Sequence, residues 1–282
     1  MIIHSGGDFM STVAIITNPC KDKDGTYTKS VAQILGEKHN IIYDKDYAGN
    51  EELLFEKADA AVILGGDGTL LSAADYACRH NVPLLGINLG HLGFMTDVEL
   101  GNMEAALNCF TEGKFRIEQR FMLDALIEKA DESMQKITAL NDIVVTRASY
   151  QRMVAFDVSV NGDHLASYQG DGLVIATPTG STAYSMSAGG PLVDPSLSVC
   201  IITPVCPHTI SSKPVIVPGD VEIQIDFKST FDDKAMLTAD GRDGIKLSEG
   251  DVIKIKGSDK KLGLIRTDGR SFYEILNLKL QG

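Results

Sequence analysis

Apolar positions along this chain follow two rhythms, and the change between them falls near residue 115. Before it, short uncharged apolar runs alternate with helical spacings. Ala60-Ala61-Val62-Ile63-Leu64 is such a run, suited to a strand covered on both faces. Leu70, Ala73, Ala74 and Ala77 then fall at i, i+3, i+4, i+7, one face of a helix that runs to about His80. Residues 13–17, 41–43 and 83–87 predict further strands. Residues 27–38, the acidic stretch 51–57 and residues 103–110 predict further helices. Strands and helices that alternate over short connections make a parallel sheet with right-handed crossovers, whose ligands belong beyond the carboxyl ends of the strands.

After Gly113 the helical spacing disappears and extended runs take over. Strands are expected over 116–129, 137–146, 153–160, 173–177, 199–202, 221–227 and 252–255, with turn signals at Asn161-Gly162-Asp163 and Asp240-Gly241. Short strands at this spacing imply a β-sandwich or stacked sheets. The fold expected is an α/β N-terminal domain with a parallel sheet, residues 1–115, followed by an all-β C-terminal domain, residues 116–282. The last residues are free to return to the first domain.

Composition narrows the function. Hydrophobic residues at 44% and charged residues at 23% give an ordinary soluble balance. A net charge of −12 leaves no basic surplus for general nucleic-acid binding, so an enzyme acting on polyanions must gather basic groups or a metal ion locally. Cys20, Cys78, Cys109, Cys200 and Cys206 are scattered without a C-x-x-C pair and sit mostly in apolar surroundings, which predicts buried, reduced thiols. The first ten residues lack a signal-peptide pattern, Met10 is an alternative start, and no apolar run reaches the length of a membrane span. A cytoplasmic protein without a membrane partner is expected.

Candidate chemistry concentrates in a few stretches. Gly65-Gly66-Asp67-Gly68-Thr69 joins the predicted strand to the predicted helix. Its glycines allow positive φ and a close ligand approach, and the first N–H groups of the helix welcome an anion, which makes Gly65, Gly66 and Thr69 candidate phosphate contacts. Asp67 is either a helix cap or a carboxylate that handles a proton. The stretch is neither a Walker A loop nor a dinucleotide fingerprint. Asn18, the glycine turn and the loop Asn88-Leu89-Gly90-His91-Leu92-Gly93-Phe94 all follow strand ends and should line one edge. Further on, Thr177-Pro178-Thr179-Gly180-Ser181-Thr182 carries four hydroxyls able to hydrogen-bond a purine without adding charge. Tyr184 beside it offers a stacking face, often worth about 1–3 kcal/mol per base. The alternative is a hydroxyl-capped helix start with Tyr184 in the core.

Gly-Gly-Asp-Gly resembles the signature shared by NAD kinases, diacylglycerol and sphingosine kinases, and 6-phosphofructokinases. The segment Gly170-Asp171-Gly172-Leu173-x-x-x-Thr177-Pro-Thr-Gly-Ser-Thr-Ala183-Tyr184, with Gly189-Gly190-Pro191 after it, is similar to the long signature of bacterial NAD kinases. Asn141-Asp142 looks like that family's short Asn-Glu/Asp motif, and the Asn88–Phe94 loop looks like its Asn-x-Gly-x-Leu-Gly-Phe. The matches run in family order from about residue 62 to 244.

The resemblance implies transfer of the γ-phosphoryl group of ATP, or of polyphosphate, to the 2′-hydroxyl of the adenosine ribose of NAD, making NADP. Carried over by position, Asp67 is the base and Gly68 lies beside the substrate. Asn141 and Asp142 hold the ribose hydroxyls. Thr182, Ala183 and Tyr184 surround the adenine with Ser187 nearby, Asp171 meets the nicotinamide end, and Asp240 approaches from a later strand. Mg²⁺ is expected on the phosphates, without a dedicated protein cage, and a homodimer or homotetramer built through the β domain is implied. Gln169 stands where many relatives carry Lys or Arg, so a cation for the pyrophosphate is missing or comes from Arg147 or Arg152; Met186 replaces a polar contact. A lipid kinase of the same superfamily predicts an apolar acyl groove, which the second half does not suggest. A silent NAD(P)-binding sensor predicts loss of Asp67 or of the Asn141-Asp142 pair, and all three are present.

Overall fold

The uncharged run at the centre of the first half forms the middle of a parallel sheet. A computed structural model describes residues 11–47, 49–96, 98–148, 153–208, 212–228, 235–242, 244–267 and 270–280, so Met10 and Arg152 lie outside the described residues. In chain order the first elements are β1 (Thr12–Thr17), α1 (Thr26–Gly36), β2 (Asn40–Tyr43), α2 (Glu51–Lys57), β3 (Ala60–Gly65), α3 (Asp67–His80), β4 (Leu84–Asn88), β5 (Val98–Glu99), α4 (Met103–Thr111) and β6 (Arg116–Arg120). β1 pairs in parallel with β2 and β3, and β4 with β3 and β5. Val13, Ile15, Val62, Leu64, Leu85 and Ile87 share one core with Val31 and Leu35 of α1 and Leu107 and Phe110 of α4. Every residue of β3 is buried, as a strand covered on both faces requires. The predicted stripe of α3 (Leu70, Ala73, Ala74, Ala77) is buried too, and Asn81 at φ 57° closes that helix.

The second group comprises β7 (Leu123–Glu128), β8 (Met134–Ala139), β9 (Asp142–Arg147), β10 (Val154–Val160), β11 (Asp163–Gly170), β12 (Gly172–Ala176), α5 (Tyr184–Ser187), β13 (Val199–Val205), β14 (Val215–Pro218), β15 (Ile223–Lys228), β16 (Ala235–Ala239), β17 (Ile245–Leu247) and β18 (Val252–Gly257). They form two antiparallel six-stranded sheets, β11-β10-β15-β18-β7-β8 and β14-β13-β12-β9-β16-β17. Alternate residues of both sheets, such as Ile127, Ile225 and Ile253 from one and Val145, Ile175 and Ile202 from the other, meet in one core. The second sheet is also covered on its outer face, where Val144, Val174 and Ile201 pack with Val193. That double cover explains why β9 and β12 read as continuous apolar runs rather than as alternation.

The chain then returns: β19 (Leu262–Arg266) inserts between β4 and β6, completing the order β2-β1-β3-β4-β19-β6, and α6 (Phe272–Leu280) follows. The two units are therefore Met1–Gln119 with Leu262–Gly282, and Arg120–Lys261. Two expected strands are each split. Residues 116–129 become β6 in the first sheet and β7 in the second group, and residues 137–146 become β8 and β9 in different sheets. The sequence reading misses α6, although Phe272, Ile275 and Leu276 share one face; only Ile275 of it is buried. The cysteines also depart from expectation: Cys78 and Cys200 are buried, but Cys20 and Cys206 are exposed and Cys109 is half-buried, all as free thiols. Burial, with a smaller push from Asp220, raises the Cys200 thiol to about 12.

Candidate active site

The candidate residues fall into two sets, one in each unit. In the first, β3 ends at Gly65 and α3 begins at Asp67, so the glycine turn is shorter than expected. Gly66 is extended at φ −143°, and Gly68 already lies in the helix. Among the glycines of positive φ none is Gly65, Gly66 or Gly68; a Cβ on Gly65 would overlap Thr69 and one on Gly66 would crowd Lys21 Nζ, whereas Gly68 faces open space. Thr69 Oγ1 accepts a hydrogen bond from the Asn18 side chain at 3.3 Å, and the Asn18 N–H is tied to the Leu64 carbonyl at 2.8 Å.

Asp67 does not cap its own helix. Its Oδ2 accepts from the Phe94 N–H at 2.8 Å; its Oδ1 accepts from Met95 N–H at 3.1 Å, Thr96 N–H at 2.9 Å and Thr96 Oγ1 at 2.9 Å. Each carboxylate oxygen offers about two lone-pair positions, so the loop after β4 crowds Oδ1 with three donors and leaves Oδ2 with one position to spare. The loop needs glycine at 93, because a Cβ there would overlap both Asp67 Oδ1 and Thr96 Oγ1. Thr96 is fully buried and accepts in turn from Asn88 Nδ2 at 2.9 Å, while Arg266 on β19 donates to the Met95 carbonyl at 3.0 Å. Thr96 and Arg266 escape sequence reading. Thr96 lies just past the recognisable loop, and Arg266 is brought in by a strand from far along the chain.

In the second unit, the chain crosses from one sheet to the other at Leu140-Asn141, and this crossing presents Asn141 and Asp142. Asp240, at φ 54° on the turn after β16, accepts the N–H groups of Leu140 at 2.9 Å, Asn141 at 2.7 Å and Asp142 at 3.2 Å. Its side chain is 2% exposed and supports the pair from behind, coming from the turn after a later strand. Burial, and then the nearby Asp240 charge, push the Asp142 carboxyl up to about 7. Burial likewise raises Asp240, with the three N–H groups and Arg242 acting against it. Asn141 Oδ1 is buried without a hydrogen-bond partner.

The hydroxyl-rich turn differs from expectation, since most of its hydroxyls face inward. Thr177 Oγ1 donates to the Leu140 carbonyl at 2.5 Å, Ser181 Oγ to the Pro178 carbonyl at 2.7 Å and Thr182 Oγ1 to the Thr179 carbonyl at 3.2 Å. These bonds build the turn against the Asn141 crossing, where Thr177 N–H also donates to the Asn141 carbonyl at 2.8 Å. Thr179 Oγ1 alone is buried and unpartnered. Tyr184 is 42% exposed and so is not a core residue; Met186 is also exposed, as is Ser187, while Thr182 and Ala183 are half-buried. Partial burial raises the Tyr184 phenol, and Cys206, Asp171 and Asp142 add to that shift, so the phenol shares their neighbourhood. Asp171 pairs with Arg147 Nε at 3.1 Å, which sets one cation of the second unit beside it. Among the described residues no group of three His, Cys, Asp or Glu could hold a metal ion, and no helix is long and apolar enough to cross a membrane.

Residues 47–115 match the family model for the ATP-NAD kinase N-terminal domain, and residues 140–267 match the ATP-NAD kinase C-terminal domain. The chain is 40% identical over 281 residues to the NAD kinase of Thermoanaerobacter sp. (strain X514), covering 96% of this chain and 99% of that relative. It is 45% identical over 224 residues to the NAD kinase of Moorella thermoacetica, covering 79% and 71%. Among solved structures, an NAD kinase from Archaeoglobus fulgidus in complex with ATP superposes with a TM-score of 0.78 at 26% identity, covering 96% of this chain and 98% of that one. Yeast NADH kinase complexed with NADH superposes with a TM-score of 0.87 at 24% identity, covering 96% and 88%, a likeness of fold.

Proposed function

Because this chain belongs to the ATP-NAD kinase family, we propose that it transfers the γ-phosphoryl group of ATP to the 2′-hydroxyl of the adenosine ribose of NAD. The observation that carries this reading is a buried acceptor without a donor beside a buried carboxyl. Asn141 Oδ1 is buried and unpartnered, and the adjoining Asp142 carboxyl is buried among groups that raise it to about 7. A buried acceptor left unpaired costs about 1–3 kcal/mol, so the site is poised for hydroxyl donors. Vicinal ribose hydroxyls supply two at the required spacing. The exposed ring of Tyr184 gives the adenine a face, flanked by Thr182, Ala183 and Ser187, and Asp171 with Arg147 addresses the nicotinamide-side ribose and pyrophosphate.

In the transfer, the 2′-oxygen forms the new bond to the γ-phosphorus as the bridging bond to the β-phosphate breaks and ADP leaves. Asp67 takes the hydroxyl proton. Oδ2, which accepts only the Phe94 N–H, keeps a lone pair for the substrate hydroxyl. General-base help of this kind is worth about 10²–10⁴-fold, and the remainder of catalysis is positioning and charge neutralisation. Magnesium bound to the donor's phosphates would supply charge neutralisation there; among the described residues no group of three His, Cys, Asp or Glu could hold it. We also propose association into a dimer or tetramer through the β unit, which sedimentation would measure.

The test is direct. Purified protein is incubated with ATP, Mg²⁺ and NAD, and NADP is read with an NADP-specific dehydrogenase. Steady formation of NADP is expected, and its absence would overturn the proposal. Parallel reactions with polyphosphate and with NADH define the donor and the acceptor form.

A further inference from the structure

We propose that Lys21 is the cation that meets the phosphate chain of the donor beside Asp67; this rests on the phosphoryl-transfer reading above. A net charge of −12 means that positive charge for a triphosphate must be placed deliberately. In the first unit Lys21 is placed. Its Nζ lies 3.2 Å from the point where a Cβ on Gly66 would stand, and 3.2 Å from the corresponding point on Gly90. The ammonium therefore rests over two loops at once: the turn that carries Asp67, and the loop whose continuation holds the Asp67 carboxylate. A side chain at either glycine would push it away.

The backbone beneath Lys21 is built rather than loose. Asn18 accepts the N–H of Lys21 at 3.0 Å and of Asp22 at 3.2 Å on its carbonyl, and that of Cys20 at 3.0 Å on its side chain. On the other side Asp22, 6% exposed, accepts from Tyr27 N–H at 3.1 Å, Thr28 N–H at 2.9 Å and Thr28 Oγ1 at 2.7 Å, which fixes the start of α1. No described carboxylate forms an ion pair with Lys21. Asp67, the nearest acid in sequence to Gly66, accepts from the Phe94–Thr96 donors on both oxygens. Lys21 is thus a solvent-facing point charge with an anchored stem, aimed at the edge where the donor must arrive. A compact ammonium suits a phosphate oxygen on which charge accumulates.

The experiment compares Lys21→Met and Lys21→Arg with the unmodified enzyme, varying ATP and NAD separately and adding inorganic tripolyphosphate as an inhibitor that carries only the phosphate chain. Lys21→Met should lower kcat/KM for ATP by about tenfold or more while the KM for NAD stays within about twofold. Tripolyphosphate inhibition should weaken by a similar factor, and Lys21→Arg should recover most of both losses. Because Lys21 is exposed, the melting temperature should not move. Lys21→Met with unchanged ATP kinetics, with tripolyphosphate inhibition unchanged, or with a KM for NAD that rises as much as the KM for ATP would overturn the assignment. If no NADP forms even with the unmodified protein, calorimetry of ATP binding separates the two ideas. Lys21-dependent affinity then keeps this proposal and removes only the acceptor, whereas affinity indifferent to Lys21→Met removes this one.

Discussion

The Asp240 carboxylate accepts the N–H of Asp142 at 3.2 Å, and its negative charge at the same time helps to raise the Asp142 carboxyl to about 7. One residue thus both fixes the backbone of the Asn141-Asp142 pair and tunes the acidity of its second member. That coupling gives a pH signature. An acid whose folded pKa lies above the unfolded value of about 3.9 makes the native state the better proton binder between the two values, so stability falls as pH rises through that window. Asp142→Asn should therefore melt higher than the unmodified protein at pH 8, with the advantage shrinking toward pH 4. Ligand binding moves the other way. Ionised Asp142 is the better acceptor for ribose hydroxyls, so NAD affinity should weaken by up to about tenfold per pH unit below about 7. Calorimetry across pH 5.5–8 reads the slope, and Asp142→Asn should flatten it.

Asp240 itself can be tested for its inward role. Asp240→Ala strips an acceptor from three buried N–H groups, and each one left unpaired costs about 1–3 kcal/mol. Denaturant unfolding should show a marked loss of stability together with weaker NAD binding, and Asp240→Asn should fall between. Loss of NAD binding at full stability would return Asp240 to direct substrate contact.

Much of this was legible in the sequence because two strand classes differ in their burial. Residues buried on both faces write continuous apolar runs, as at 60–64 and 173–176, and those runs end where Asp67 and the hydroxyl turn begin. Residues 223–228 alternate instead, because only one face meets the core. What was not legible depends on distant segments. Asp240 turns inward because the crossing at 140–142 supplies three N–H groups, a fact of sheet topology and not of local pattern. The inward hydroxyls of Thr177 and Ser181 have the same origin, since their partners lie on Leu140 and around Val193. The split of 137–146 falls at Leu140-Asn141, where the weak strand formers Asn141 and Asp142 are its one mark in an otherwise extended stretch.

Asp67 and Gly93 give a paired prediction. Asp67→Asn should lower kcat by at least about 10²-fold while NAD affinity stays nearly intact. Gly93→Ala places a methyl where the Asp67 carboxylate and the Thr96 hydroxyl meet. It should depress kcat with little change in NAD affinity, by displacing the carboxylate or its loop. A Gly93→Ala enzyme of normal turnover would show that the Asp67–loop geometry is dispensable, and an Asp67→Asn enzyme within a few-fold of normal would remove Asp67 as the base.

The last prediction examines the reaction without altering the protein. If the adenosine-side 2′-hydroxyl is the nucleophile, NAD lacking that single oxygen retains its adenine, pyrophosphate and nicotinamide contacts. It should bind, inhibit competitively against NAD, and never be phosphorylated. NAD lacking the equivalent oxygen on the nicotinamide ribose should remain a substrate. The asymmetry follows from the second unit, where Asn141 Oδ1 has no donor and the adjoining Asp142, raised to about 7, is near enough to the exposed Tyr184 for its charge to act on the phenol. In the proposed binding mode that arrangement holds the adenosine half and presents its 2′-hydroxyl for transfer. The binding loss from the missing oxygen should be about tenfold, the value of one charge-assisted hydrogen bond, and calorimetry would measure it. A lipid kinase would be indifferent to both analogues, and a silent sensor would bind both without transfer. Mass spectrometry of the products is decisive: phosphate on the adenosine-deoxy analogue would place the nucleophile elsewhere and dismantle the proposed mechanism.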